Sequence, residues 1–161
     1  FDLVLQIAEQ LPNLKFKIVS EKIPFDRIKS KNIELVEGQW NKSVLTDHEI
    51  KEIYSNAALS IIPIKNSYQP SGQSVALQSM SLKVPVLITD TVGFWDKEKF
   101  KDKNNIWFLE NNNLQNWCEN ISYLMDNEQE RYKISNKAKK TVNQSFNTQL
   151  FYEELKKIIF S

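Results

Sequence analysis

The chain has 161 residues, 41% hydrophobic and 25% charged, which is enough for one soluble domain spanning residues 1–161 with a sizeable core; 21 Lys+Arg against 20 Asp+Glu leave a net charge of +1. Charges this balanced and this dispersed along the sequence carry neither a nucleic-acid footprint nor an anionic-membrane patch, so a phosphate ligand would have to be held locally. The single cysteine, Cys118, excludes an internal disulfide and a Cys-rich metal site.

The chain opens at Phe1 with no initiator Met and already in helical periodicity, so it reads as a piece of something longer. Leu3, Ile7 and Leu11 make an amphipathic first helix that Pro12 and Asn13 stop. Lys15–Val19 reads as a strand. After a Lys-rich connection from Glu21 to Lys31, Ile33–Glu37 alternates at period two as a second strand, ends at Gly38, and is followed by Gln39-Trp40-Asn41 in its loop. Thr46-Asp47-His48-Glu49 is a capping box, flanked by the staple pair Leu45 and Ile50, and Ile50, Ile53, Tyr54 and Ala57 form the inner face of the helix it starts.

Ala58–Ile64 and Val84–Ile88 are short apolar runs of strand length, and the segment between them is helical: strand, helix, strand is a parallel crossover unit. On that helix Ser71, Ser74, Gln78 and Ser81 form an uncharged polar stripe opposite Ala76, Leu77 and Met80. Ser71 is a good N-cap and Gly72 lets another group approach the backbone, so first-turn N–H groups are left to face an anion. The same small residues also suit close helix packing. Asp90–Asp96 forms the next loop and Ile106–Leu109 a last strand. Leu114, Trp117, Cys118, Ile121, Leu124 and Met125 recur at helix spacing, Asn127 with Glu130 caps a further helix, and a final helix from about Asn147 is expected to bury Leu150, Phe151, Leu155, Ile158 and Ile159.

Strands separated by helices predict an α/β fold: a doubly wound, mostly parallel, Rossmann-like sheet closed by C-terminal helices. The three glycines, Gly38, Gly72 and Gly93, each fall at or just beyond the C-terminal end of a predicted strand, the edge where open α/β sheets bind ligands. No run approaches the ~18 apolar residues of a membrane span and no signal peptide is seen, so a cytoplasmic location is expected, with peripheral association at the inner face of a membrane left open to a full-length protein. The sequons at Asn41, Asn120 and Asn143 then follow from an Asn-rich composition. Cys118 sits on an apolar helix face as an inert thiol, and lone His48 lies in a first helical turn.

The run from Ile62-Pro63 through Gly72, then Ser74–Met80, Val84-Pro85-Val86 and Thr89, resembles the C-terminal, donor-nucleotide-binding domain of retaining family-4-type glycosyltransferases of GT-B architecture. Tyr54-Ser55-Asn56-Ala57 is similar to the family's helix end before the strand that leads to proline, and Gly93, Asn105 and the helices from Leu114 to Val142 fall where the family has its closing loop and helices. The resemblance covers almost the whole chain apart from a first strand upstream of Phe1. It implies one half of a two-domain enzyme that transfers a sugar from a nucleotide-sugar to an acceptor, without a required metal or other cofactor, the acceptor side lying in an N-terminal domain. It places the base against the loop after Val19, at Ser20, and near Gly38; the diphosphate against Ser71, Gly72, Gln73, Ser74 and Val75; and the ribose against Gln78.

The family typically carries two glutamates eight positions apart. Anchored on Gln78, the first falls on Pro70; Gly72 is one residue farther from Gln78 than usual, and anchoring on it puts Gln69 at the sugar-contacting position. A glutamine exchanges hydrogen bonds with hydroxyls but brings no charge to an oxocarbenium-like transition state. The expectation is therefore retained activity with Gln69 or Gln73 as the sugar contact and the catalytic residues unassigned. Two alternatives stay open: a degenerate, non-catalytic nucleotide- or sugar-binding domain, and a flavodoxin- or receiver-like regulatory domain, for which only Asp90 is well placed.

Overall fold

The computed structural model describes residues 1–20, 27–38 and 45–160, so the expected loop at Gln39-Trp40-Asn41 and its sequon lie outside the described residues. Helix α1 (Asp2–Gln10) buries Ile7 as the periodicity predicts, together with Leu5 and Ala8, while Leu3 and Leu11 are half-buried against the same cluster. Its open C-terminus is closed from a distance: the Asn32 side-chain amide donates to the carbonyls of Ala8, Leu11 and Leu14 at 3.0, 3.1 and 2.8 Å. Strands β1 (Phe16–Ser20) and β2 (Ile33–Glu37) pair in parallel, Phe16 opposite Ile33 and Ser20 opposite Glu37. Helix α2 (Asp47–Ser55) begins with the predicted capping box: the Glu49 N–H donates to the Thr46 hydroxyl at 3.2 Å and the Thr46 N–H to the Glu49 carboxylate at 2.7 Å. Its inner residues Ile50, Ile53 and Tyr54 are half-buried, and none is fully enclosed.

Strands β3 (Ser60–Ile62), β4 (Val86–Thr89) and β5 (Trp107–Leu109) form a second parallel ladder in the order β3-β4-β5, with helix α3 (Gln73–Ser81) as the β3–β4 crossover. The parallel strands match expectation, but they form two ladders rather than one continuous sheet. Pro63, which has no N–H to donate, follows β3 directly and the strand stops after three residues.

β4 is buried along its whole length, and its alternation splits the core. Val86 and Ile88 join Ile62, Ala76, Met80, Phe94, Phe100, Ala138 and Val142 on the α3 side. Leu87 joins Ile7, Trp107, Trp117, Ile121 and Leu124 on the other, with α1 and α4 (Leu114–Asp126). Each large aliphatic side chain so enclosed contributes about 1.5–3 kcal/mol. Helices on both faces of a parallel sheet make this a doubly wound fold.

Helix α5 (Glu128–Ser145) packs against α3 and α4. Asn127, expected to cap it, makes no side-chain cap; its amide instead donates to the Tyr123 carbonyl at 2.7 Å, because one residue both ends α4 and starts α5. A larger correction concerns α6 (Thr148–Ile159). It starts where expected, with Asn147 as its N-cap, but it buries none of its residues, and Phe151 and Ile158 stand 67% and 76% exposed. Amphipathic spacing marks an apolar side without supplying a surface to cover it.

Candidate functional site

The C-terminal edge of the β3-β4-β5 ladder is built around the start of α3. The N-cap is Gly72 rather than the expected Ser71, with φ +71° and no side-chain cap. A Cβ there would stand 2.8 Å from Ile62 Cγ2 and 3.4 Å from Ile88 Cδ1, so both the left-handed backbone and the seating on the ends of β3 and β4 require glycine. The Gly72 carbonyl accepts the first helical bond, from the Ala76 N–H at 2.9 Å. That leaves the N–H groups of Gln73, Ser74 and Val75 in an uncapped first turn that carries no acidic side chain. No Asp or Glu occurs anywhere from Asn56 through Thr89.

Around this turn the loops are locked together. Gln73 is only 4% exposed, and both ends of its amide are taken by Trp95: Nε2 donates to the Trp95 carbonyl at 3.0 Å and Oε1 accepts the Trp95 N–H at 3.3 Å. Gly93 runs so close to the 67–69 loop that a Cβ would lie 2.5 Å from the carbonyl oxygens of Ser67 and Gln69. The Val92 N–H donates to Asn66 Oδ1 at 3.3 Å. Buried Thr89 donates to Asn112 Oδ1 at 2.8 Å and accepts the Ile64 N–H at 3.1 Å, while Asn112 donates back to the Ile64 carbonyl at 2.9 Å. The loops after β3, β4 and β5 are thereby tied into one rim. Tyr68 and Trp95 stand on it 91% and 60% exposed. Sequence reasoning passed over both aromatics; their position beside Gly72 and Gly93 was the available signal.

Ser71, Ser74, Val75 and Gln78 share the exposed side of α3, so most of the predicted uncharged stripe faces solvent, with Ser81 half-buried at its end. Gln78 lies about 9 Å along the helix from Gly72, and its Oε1 accepts the Tyr54 hydroxyl at 3.2 Å. Burial pushes the Tyr54 phenol above its ordinary pKa, with a hydrogen bond to Ser79 opposing. Gln69 is exposed, its N–H donating to Ser67 Oγ at 3.0 Å. Gly38 and Ser20 meet at the end of the other ladder, where the Gly38 N–H donates to the Ser20 carbonyl at 3.1 Å.

Asp90, the acid a receiver would use, is paired with Lys97 at 2.6 Å. Among the described residues no three His, Cys, Asp or Glu side chains group to hold a metal, and no helix is long and apolar enough to cross a membrane. His48 Nδ1 lies 3.9 Å from Glu52 on α2, and Cys118 is half-buried on α4, its thiol pushed up by burial and then by neighbouring Glu119.

Solved structures show the same fold. A glycosyltransferase from Rickettsia africae superposes with a TM-score of 0.75 at 17% identity over 97% of this chain and 42% of that one. The C-terminal domain of the group 1 glycosyl transferase LpcC from Francisella tularensis gives 0.68 at 19% identity over 91% and 78%. HepE from Anabaena, solved with UDP-glucose, gives 0.73 at 12% identity over 97% and 44%. The chain thus spans less than half of the first and third of these relatives. No curated protein matches significantly. The family profile described as "Glycosyl transferases group 1" covers residues 2–141, most of the sequence, and with it the chain belongs to the group 1 glycosyl transferases, as a domain of GT-B type.

Proposed function

We propose that the chain is the donor-binding half of a two-domain, retaining glycosyltransferase. It would hold a nucleotide-sugar for transfer to an acceptor carried on an N-terminal domain. The observation that carries this reading is the uncapped first turn of α3 at the C-terminal edge of the sheet, held open by left-handed Gly72 and free of carboxylates. A helix start presents roughly half a positive charge and free N–H donors, which suits a diphosphate without a metal ion. Ser71, Ser74 and Val75 lie on that turn's outer side, Gln78 is one step further along for the ribose, and Gln69 sits in the adjoining loop for the sugar. Ser20 and Gly38 would face the base. Gln73 is recast by its buried clamp as the residue that positions Trp95. A UDP-sugar is the natural first choice of donor, since HepE is solved with UDP-glucose. A cytoplasmic location, with peripheral membrane association open to the full-length protein, goes with this reading.

A second reading, a degenerate domain that binds without catalysis, is favoured by one fact: no carboxylate occupies the 56–89 segment in which the family's glutamate pair belongs. NMR titration with UDP, GDP and ADP tests the shared binding step. Amide shifts should concentrate on Ser71 to Val75 and on Ser20, Gly38 and Gly93; a response confined to α4–α6 would refute both readings. Transfer assays then separate them, since a full-length protein that binds UDP-sugar yet transfers none leaves only the second. The isolated chain should transfer no sugar, because it supplies one wall of a two-walled cleft.

A further inference from the structure

Lysines that are dispersed along the sequence are gathered by the fold on the side of α5. Lys99 and Lys101, from the segment between β4 and β5, and Lys137 and Lys140, from the second half of α5, line one open basin of about 400 Å³. Glu98 is the only carboxylate among its lining residues, and no ion pair takes any of the four ammonium groups among the described residues. In a chain of net charge +1 this is a local excess that like-charge repulsion opposes.

The basin is also built rather than draped. Asn105, 5% exposed, ties its two walls: Nδ2 donates to the Lys99 carbonyl at 2.9 Å and to the Thr141 hydroxyl at 2.7 Å, and Oδ1 accepts the Lys101 N–H at 2.7 Å. Thr141 in turn donates to the Lys137 carbonyl at 3.1 Å. One buried amide therefore fixes both lysine-bearing backbones, which lie 36 positions apart in sequence at the Asn105–Thr141 contact. Behind it, Phe100 stacks on Phe146 with centroids 5.2 Å apart, holding the same two segments together from the core side. Gln144 and Ser145 add neutral donors to the rim.

We propose that this basin is a second anion site, separate from the start of α3, which takes a phosphate or diphosphate group. The four ammonium groups would neutralise the charge and the fixed walls would set its place. The chemistry is shared by a soluble phosphate ester and by a phospholipid headgroup.

The test uses the whole chain. Inorganic pyrophosphate is titrated by NMR at low salt, and sedimentation is followed with vesicles of phosphatidylcholine alone and with phosphatidic acid. Pyrophosphate should shift the amides of Lys99, Lys101 and of residues 137–145 along with any shifts at Ser71 to Val75. Lys101→Gln with Lys140→Gln should weaken the first set roughly fivefold to tenfold and leave the second unchanged, while the corresponding Lys→Arg pair should retain binding. Sedimentation with the phosphatidic acid vesicles that the Gln pair abolishes would assign the phosphate to a lipid; pyrophosphate binding without sedimentation would assign it to a soluble ester. Pyrophosphate shifts confined to Ser71 to Val75, or basin shifts of equal affinity in the wild type and the Gln pair, would overturn the proposal while leaving the donor site standing. Vesicle binding that the Gln pair does not change would place the membrane contact outside the basin, and the proposal would then stand or fall on the pyrophosphate shifts alone.

Discussion

Gly72→Ala is the substitution in which sequence, strain and site meet. At φ +71° an alanine costs about 1–2 kcal/mol for the left-handed backbone alone. Its Cβ would also stand 2.8 Å from Ile62 Cγ2 and 3.4 Å from Ile88 Cδ1, two side chains of the packed sheet, and overpacking of this kind costs about 1–3 kcal/mol more. For a domain of this size each kcal/mol moves the midpoint by roughly 2–4 °C, so the expected fall in melting temperature is on the order of 10 °C. Gly38→Ala is the internal control. Its Cβ also comes within 2.8 Å of a neighbour, but that neighbour is Cγ1 of exposed Val19, which can turn away, and Gly38 has no positive φ. Its effect should stay within about 0.5 kcal/mol. Thermal melts of the two variants by circular dichroism decide the matter: if Gly72→Ala melts no lower than Gly38→Ala, the account of Gly72 as a conformational and packing requirement is wrong.

Lys83 ends α3 in a Schellman motif, its N–H on the Met80 carbonyl and the Val84 N–H on that of Ser79, with φ +61°. Lys83→Gly should therefore raise stability by about 1 kcal/mol in urea titration, and a loss would contradict the motif. The Glu49 carboxyl is held below its ordinary pKa of 4.5 by its hydrogen bonds to the Thr46 backbone and then to the Thr46 side chain. A depressed folded-state pKa gives stability that is present above the unfolded value and lost as pH falls through the folded one, so Glu49→Gln should flatten the acid limb of a stability profile; parallel limbs would refute this. Gln78 is exposed and bonded to Tyr54, so Gln78→Glu should fold normally, while Gln78→Ala should weaken UDP binding by about 1 kcal/mol, read by calorimetry. Unchanged binding by the alanine variant would remove Gln78 from the site.

Local chemistry was legible in the sequence wherever the cause is local. The Thr46–Glu49 box, the stop at Pro12, the β4 run and the uncharged side of α3 depend on residues within a turn or two of each other, and each appears where its spacing places it. The glycine-marked edge was legible too, since Gly72 and Gly93 stand where backbones must approach or reverse hand. What lies at long range was not. That Gln73 would turn inward to clamp Trp95, 22 positions away, rather than face a ligand depends on where the 91–95 loop comes to rest. Asn127 looked like a cap and became the junction of two helices because the residue that ends α4 also starts α5. The apolar side of α6 stays largely exposed, and four dispersed lysines meet over Asn105. Spacing along a helix or strand decides which side of an element is apolar, charged or small. Only the packing of distant elements decides whether that side meets a core, a partner group or water, because burial and charge proximity are properties of separation in space.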